Sequence, residues 1–153
     1  MKFIPVTQGK VAIVDNQDYA ALSKYFWHLN TGYAMRWLPR KNGKQIHVLM
    51  HRVIMKPPQG VEVDHINQDR LDNRRSNLRL CGRPQNMMNR GLNSNNTTGF
   101  RGVFKARRLG YFIARIIVNK QRHYLGTFHS ALAAYSAYKK EAKAHHGVFA
   151  KGL

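Results

Sequence analysis

Apolar positions in this chain come as short runs separated by polar turns. Lys2 to Val6 and Val11 to Val14 flank the turn Thr7-Gln8-Gly9-Lys10 and predict a hairpin. Asp15 and Asp18 mark a helix start, and Tyr19, Leu22 and Phe26 share one helical face out to about Tyr25. Gly32 to Leu38 and Gln45 to Leu49 read as two further strands joined at Lys41-Asn42-Gly43. Aromatic residues at such spacings belong to a core, which is the reading given to Tyr19, Trp27, Tyr33 and Trp37. LMHRVIMKPP is a short helix that Pro57 and Pro58 must end. Val61 and Val63, then Leu78, Leu80 and Cys81, predict two short strands on either side of a loop. That loop is rich in Asn67, Asp69, Asp72, Asn73, Ser76 and Asn77, whose short polar side chains bond nearby backbone. Pro84 suits the first turn of a helix running to about Arg90.

After this point the pattern changes. Gly91 to Thr98, GLNSNNTT, is polar and reads as a linker. Phe100 to Lys105, Tyr111 to Val118 and His123 to Phe128 predict three antiparallel strands, and Ser130 to His146 a helix stopped at Gly147. Alternation puts Phe112, Ala114 and Ile116 on one sheet face, against a stripe of Ala134, Tyr138 and Ala142 on the helix. The opposite face would present Arg101, Arg115, Arg122 and Tyr124. The fold class expected is α+β. A β/α N-terminal segment leads into a strand-loop-strand-helix unit over residues 1–90, a linker follows over 91–98, and a three-stranded antiparallel sheet with one helix spans 99–148.

Charge narrows the partner. The chain has 26 Lys and Arg against 7 Asp and Glu, a formal +19, which calls for a polyanion. A membrane surface is a poor candidate, because no apolar run approaches a spanning length and MKFIPVTQGK lacks a signal-peptide core. Residues 96–153 carry 11 basic groups against one acidic, while four of the six acidic residues in 1–95 (Glu62, Asp64, Asp69, Asp72) cluster in the central stretch. The tail reads as a binder and the middle as a site. One cysteine, Cys81, excludes an internal disulfide and a Cys-rich zinc site, and suits an intracellular protein.

In that central stretch Asp64, His65 and Asn86 carry the chemistry. A carboxylate and a carboxamide oxygen, completed by water and a substrate phosphate, suit one hard divalent ion, Mg2+ or Mn2+. A neutral imidazole beside such an ion can take a proton from water, the outline of phosphodiester hydrolysis. A calcium loop counted from Asp64 fails, with Asp69 at the sixth position and Arg75 at the twelfth.

Asp64-His65, Asn77 within RRSNLR and Asn86 within QNMMN, with LMHRVIM and LDNRRSNLRL around them, resemble the HNH endonuclease motif. The form is that of phage and intron-encoded homing nucleases, whose last position is Asn. The resemblance implies a ββα-metal unit at about 60–90, with His65 as general base, Asp64 and Asn86 as metal ligands, and Asn77 shaping the loop through backbone hydrogen bonds. In that family an HR pair often precedes the hairpin. Here it is His51-Arg52: Arg52 is placed to reach a phosphate, and His51 is either a second site residue or a packed, hydrogen-bonded one. Where relatives cap the site helix with Ser or Thr, this chain has Gly82, at a cost of a few tenths of a kcal/mol, roughly.

GFRGVFK, YLGTF and the Ala-rich helix after them resemble the AP2 DNA-binding domain, which lays its sheet in the major groove. Phe104, Arg115 and Tyr124 stand where Arg, Glu and Trp are usual in the plant form, so the target sequence does not carry over. Together the two resemblances imply an intracellular, metal-dependent endonuclease of double-stranded DNA, of phage or intron origin, nicking as a monomer. The rivals are a non-catalytic, sequence-specific DNA-binding regulator with a vestigial site, and an RNA-binding protein, which a sheet lacking paired aromatic platforms disfavours.

Overall fold

The N-terminal hairpin forms from β1 (Lys2–Val6) and β2 (Lys10–Val14), paired antiparallel with Lys2 opposite Val14 and Val6 opposite Lys10. The chain is seen here in a computed structural model that describes residues 1–89, 91–107 and 109–147. Period-two alternation turns Ile4, Val6, Ala12 and Val14 inward. Helix α1 (Asn16–Leu22) is shorter than its pattern predicts. The backbone leaves it at Ser23, and Trp27 rather than Phe26 enters the core, its indole Nε1 donating to the Leu22 carbonyl at 2.9 Å while Phe26 is 72% exposed. A fully enclosed indole removes more apolar surface from water than one more helical turn ending in Phe26.

Three strands follow in the order β3 (His28–Asn30), β4 (Tyr33–Lys41), β5 (Lys44–Leu49). Asn42 and Gly43, both at positive φ, make the tight two-residue turn between the last two. Strand β3 was not apparent in the sequence. Trp37, expected in the core, is 48% exposed on this ribbon and meets the His47 ring edge-on. Helix α2 (Met50–Met55) buries Met50, His51 and Ile54 and stops at Lys56, which turns left-handed before the two prolines.

The central unit is a two-stranded antiparallel sheet of β6 (Glu62–His65) and β7 (Leu78–Cys81), then α3 (Arg83–Asn89). Arg90, where the helix was expected to end, lies outside the described residues. Val63 and Leu78 join Trp27, Met50 and Ile54 in one core, so the N-terminal elements and the central hairpin share a single apolar interior. The chain divides into two compact units, Met1–Met87 and Met88–Leu153.

The second unit is a sheet in the order β10-β9-β8, from β8 (Val103–Lys105), β9 (Phe112–Val118) and β10 (Gln121–Phe128), covered on one face by α4 (Ala131–His146). Ser130 caps α4 by accepting from the Ala133 N–H. Ala114 and Ile116 pack against Ala134, Tyr138 and Ala142, the faces that alternation predicts. Strand β8 begins later than expected because residues 96–102 are held in turns. The Asn96 side chain accepts from the Thr98 and Gly99 N–H groups, and Thr98 Oγ1 donates to the Val103 carbonyl. The end of the run read as a linker is thus bonded into this unit. No helix of the described residues is long and apolar enough to cross a membrane.

Candidate active site

The loop between β6 and β7 is held by its own polar side chains. Asn77 Nδ2 donates to the Asp72 carbonyl at 2.7 Å, and its Oδ1 accepts the Asn67 N–H at 3.0 Å. Asn67 and Asp69 close Asx-type turns onto the N–H groups two residues on. Arg74 grips the Asp72 carboxylate with Nε and Nη2 at 2.7 and 2.6 Å, which holds that carboxyl below its ordinary range. From outside, Ile13 of β2 exchanges backbone bonds with Leu71 and Asn73, and Asp15, just before α1, and Asp18 within it accept from Arg75. The N-terminal elements therefore brace this loop.

His65, at the end of β6, is buried. The Asn73 carboxamide nitrogen donates to the Leu71 carbonyl at 3.1 Å, so its oxygen faces His65 Nε2 at 3.3 Å. A carboxamide oxygen only accepts, which assigns the proton to Nε2 and the lone pair to Nδ1 in the neutral ring. Burial lowers the His65 pKa, opposed by the Asn73 bond and by Asp64, Asp69 and Asp72. The His51 ring meets His65 edge-on at 5.1 Å between centroids, and Tyr33 lies 5.2 and 5.9 Å from the two rings. The Arg70 guanidinium lies over the Tyr33 ring at 4.7 Å.

Period-two alternation puts Asp64 on the same strand face as Glu62, opposite to His65. Asp64 pairs across the strands with Arg79, whose Nε and Nη2 reach Oδ2 at 2.8 and 2.6 Å. Asn86, in the first turn of α3, donates from Nδ2 to Glu62 Oε2 at 2.6 Å. The helix start lacks a Ser or Thr, but Gln85 reaches back to accept the Gly82 N–H at 2.8 Å, half of a capping box. Beneath lies the buried Cys81 thiol, pushed up to about 11 by burial and then by the charges of Asp64 and Glu62. Among the described residues no three His, Cys, Asp or Glu side chains form a metal cage. The donor set nevertheless fits a hard ion completed by water and phosphate. Asp64 brings a carboxylate to this face, and Asn86, its nitrogen committed to Glu62, turns its oxygen away from that bond.

A family model described as HNH endonuclease matches residues 48–88, from the end of β5 through α2, the hairpin and nearly all of α3. Over 146 residues the chain is 31% identical to an uncharacterized HNH endonuclease of Acanthamoeba polyphaga mimivirus, covering 94% of this chain and 74% of the relative. The chain belongs to the HNH endonuclease family. No solved structure matches it. As an HNH endonuclease it is a nuclease, and the matched segment is the one that holds His51, Asp64, His65, Asn77 and Asn86.

The other residues singled out in the sequence fall in different places. Arg52 donates to the Val61 carbonyl at 3.3 Å, tying α2 to the approach to β6. Arg115, Arg122 and Tyr124 lie on the face of the second unit's sheet not covered by α4, with Arg115 directly opposite Tyr124. Arg101 does not join them. It bonds the Met88 carbonyl and the Tyr138 hydroxyl, on the helix side of the sheet, because the left-handed Gly102 turns the chain before β8. In its place the open face carries Phe104, 6.0 Å from the Arg115 guanidinium. Sequence reasoning missed Asn73, Glu62 and Arg79 as site residues. The two-residue spacing of Glu62 from Asp64 was the available signal for one of them.

Proposed function

We propose that this HNH endonuclease hydrolyses one phosphodiester bond of double-stranded DNA with one divalent ion, Mg2+ or Mn2+. Asp64 and the Asn86 carboxamide oxygen would hold the ion, and His65 would act as general base. The observation that carries this reading is a buried His65 whose Nε2 proton is committed to Asn73, at the end of the strand that also bears Asp64. Nδ1 is then the nitrogen that takes a proton from the attacking water. Asn77 keeps the loop, and so the imidazole, in position through its two backbone bonds. When bound, the ion polarises a phosphoryl oxygen and steadies the leaving oxygen.

The second unit's sheet, basic and aromatic on its open face, would hold the duplex in the manner of the AP2 domain it resembles, with Arg115, Arg122 and Tyr124 as contacts. One site cuts one strand per binding event, so a monomer nicks, and a homing-type role follows from the family resemblance alone. A second reading, a DNA-binding regulator with a vestigial site, draws on Arg79 holding Asp64. Purified protein with supercoiled plasmid and Mg2+ or Mn2+, beside a chelator control and His65→Ala, separates the two. Loss of the supercoiled form that needs both metal and His65 is expected. No cutting of DNA that carries a confirmed binding site, with either ion, would transfer the protein to the regulator reading.

A further inference from the structure

We propose that Glu62 is a positioning residue of this site, fixing the Asn86 carboxamide so that its oxygen rather than its nitrogen is offered to the ion. The inference rests on the reading of Asp64 and Asn86 as metal ligands. An Asn side chain is nearly symmetric in shape but not in chemistry. Its oxygen can coordinate a cation, whereas its NH2 group, a donor of two hydrogens, cannot. An unconstrained Asn would spend much of its time with the wrong atom forward.

The backbone of Asn86 is held at the start of α3. Its backbone N–H donates to the Gly82 carbonyl at 3.0 Å, in a helix start that Gln85 caps. That fixes the backbone of residue 86, and Glu62 sets which end of its carboxamide faces the carboxylate. The carboxylate oxygen lies 2.6 Å from Nδ2, and a carboxylate can only accept, so a flipped carboxamide would set oxygen against oxygen. Glu62 itself is fixed by its strand. It stands opposite Cys81 in the β6–β7 register, two residues before Asp64 and on the same face.

The test uses the full-length protein and Mn2+ alone, with affinity read by electron paramagnetic resonance or calorimetry and folding checked by thermal melting. Glu62→Ala should weaken Mn2+ binding by about 10- to 100-fold, the usual effect of losing a residue that orients a ligand. Glu62→Gln, whose side-chain oxygen can accept the same N–H, should keep binding within roughly threefold. A carboxylate at position 86 needs no orientation and would be repelled by Glu62. In an Asn86→Asp background, therefore, Glu62→Ala should strengthen Mn2+ binding, a reversal of sign that a merely structural role would not produce.

If Asp64→Ala abolishes Mn2+ binding while Glu62→Ala leaves it at the wild-type value, this inference is wrong and the metal site stands. If Asp64→Ala leaves Mn2+ binding unchanged, the metal site itself is wrong. Equal loss in Glu62→Gln and Glu62→Ala would make Glu62 a direct ligand and overturn the positioning role. Should Glu62→Ala not fold, Asn86→Asp with and without Glu62→Gln carries the same sign test, and weaker binding in the double variant would refute it.

Discussion

His51 is enclosed beside His65, and burial, then the neighbouring imidazole and Arg52, lower its pKa from 6.5 to about 3. In the unfolded chain the same ring takes a proton near its ordinary value. Below that pH the unfolded state therefore binds more protons than the folded one. Stability from this residue is complete above pH 6.5 and is lost as the pH falls from there toward about 3. Urea midpoints should be level from about pH 7 upward and decline on acidification, and His51→Phe should flatten part of that decline. An unchanged pH profile in the variant would mean that His51 is not held neutral. At this scale the sequence was only partly legible. Asp64, His65, Asn77 and Asn86 carry a motif, because their spacing is fixed by local structure. Asn73 looks like any loop Asn until Leu71 and His65 are seen on either side of its carboxamide, and Arg79 is one of many basic residues until the register sets it opposite Asp64.

The elements were readable where local pattern decides them and less so where packing does. The hairpins and α4 follow from alternation, turn residues and a Ser cap, whereas α1 ends early because Trp27 must reach the core, and β3 exists only through pairing with β4. Contacts between elements can be tested in each unit. Arg79 and Asp64 are both largely buried, so Arg79→Ala breaks a buried ion pair and should cost about 3 kcal/mol of stability. Mn2+ should recover part of that loss if Asp64 is a ligand, raising the melting temperature of the variant more than that of wild type. Equal shifts in the two proteins would speak against a metal on Asp64. In the second unit, a Cβ on Gly102 would lie 2.1 Å from the Tyr138 ring and 2.8 Å from the Arg115 carbonyl, at a φ of +71°. Left-handed backbone alone costs roughly 1–2 kcal/mol for other residues, and the ring has no room to retreat from between sheet and helix. Gly102→Ala should therefore melt this unit at a markedly lower temperature, and a calorimetric trace matching wild type would show that the α4 packing gives way easily.

For the whole molecule the governing quantity is charge, +19 over 153 residues, and the question is how much of it touches DNA. Each phosphate neutralised releases counterions, so the logarithm of affinity should fall linearly with that of salt, with a slope of about −0.9 per contact. The open sheet face offers a way to separate kinds of contact, because it sets Arg115 and Arg122 beside the uncharged Tyr124 and Phe104. An arginine on a phosphate should, when changed to Ala, weaken binding alike on all sequences and reduce the salt slope by about 1. An arginine reading a base edge should cost about 1–3 kcal/mol and relax specificity at one position. Tyr124→Ala removes no charge, so any loss of affinity it causes should leave the slope as it was. Fluorescence anisotropy with duplex DNA across a salt series, on wild type and these three single variants, measures all of this at once. Wild-type slopes and affinities in all three variants would remove the sheet face from the DNA interface and leave the remaining basic surface to hold the duplex.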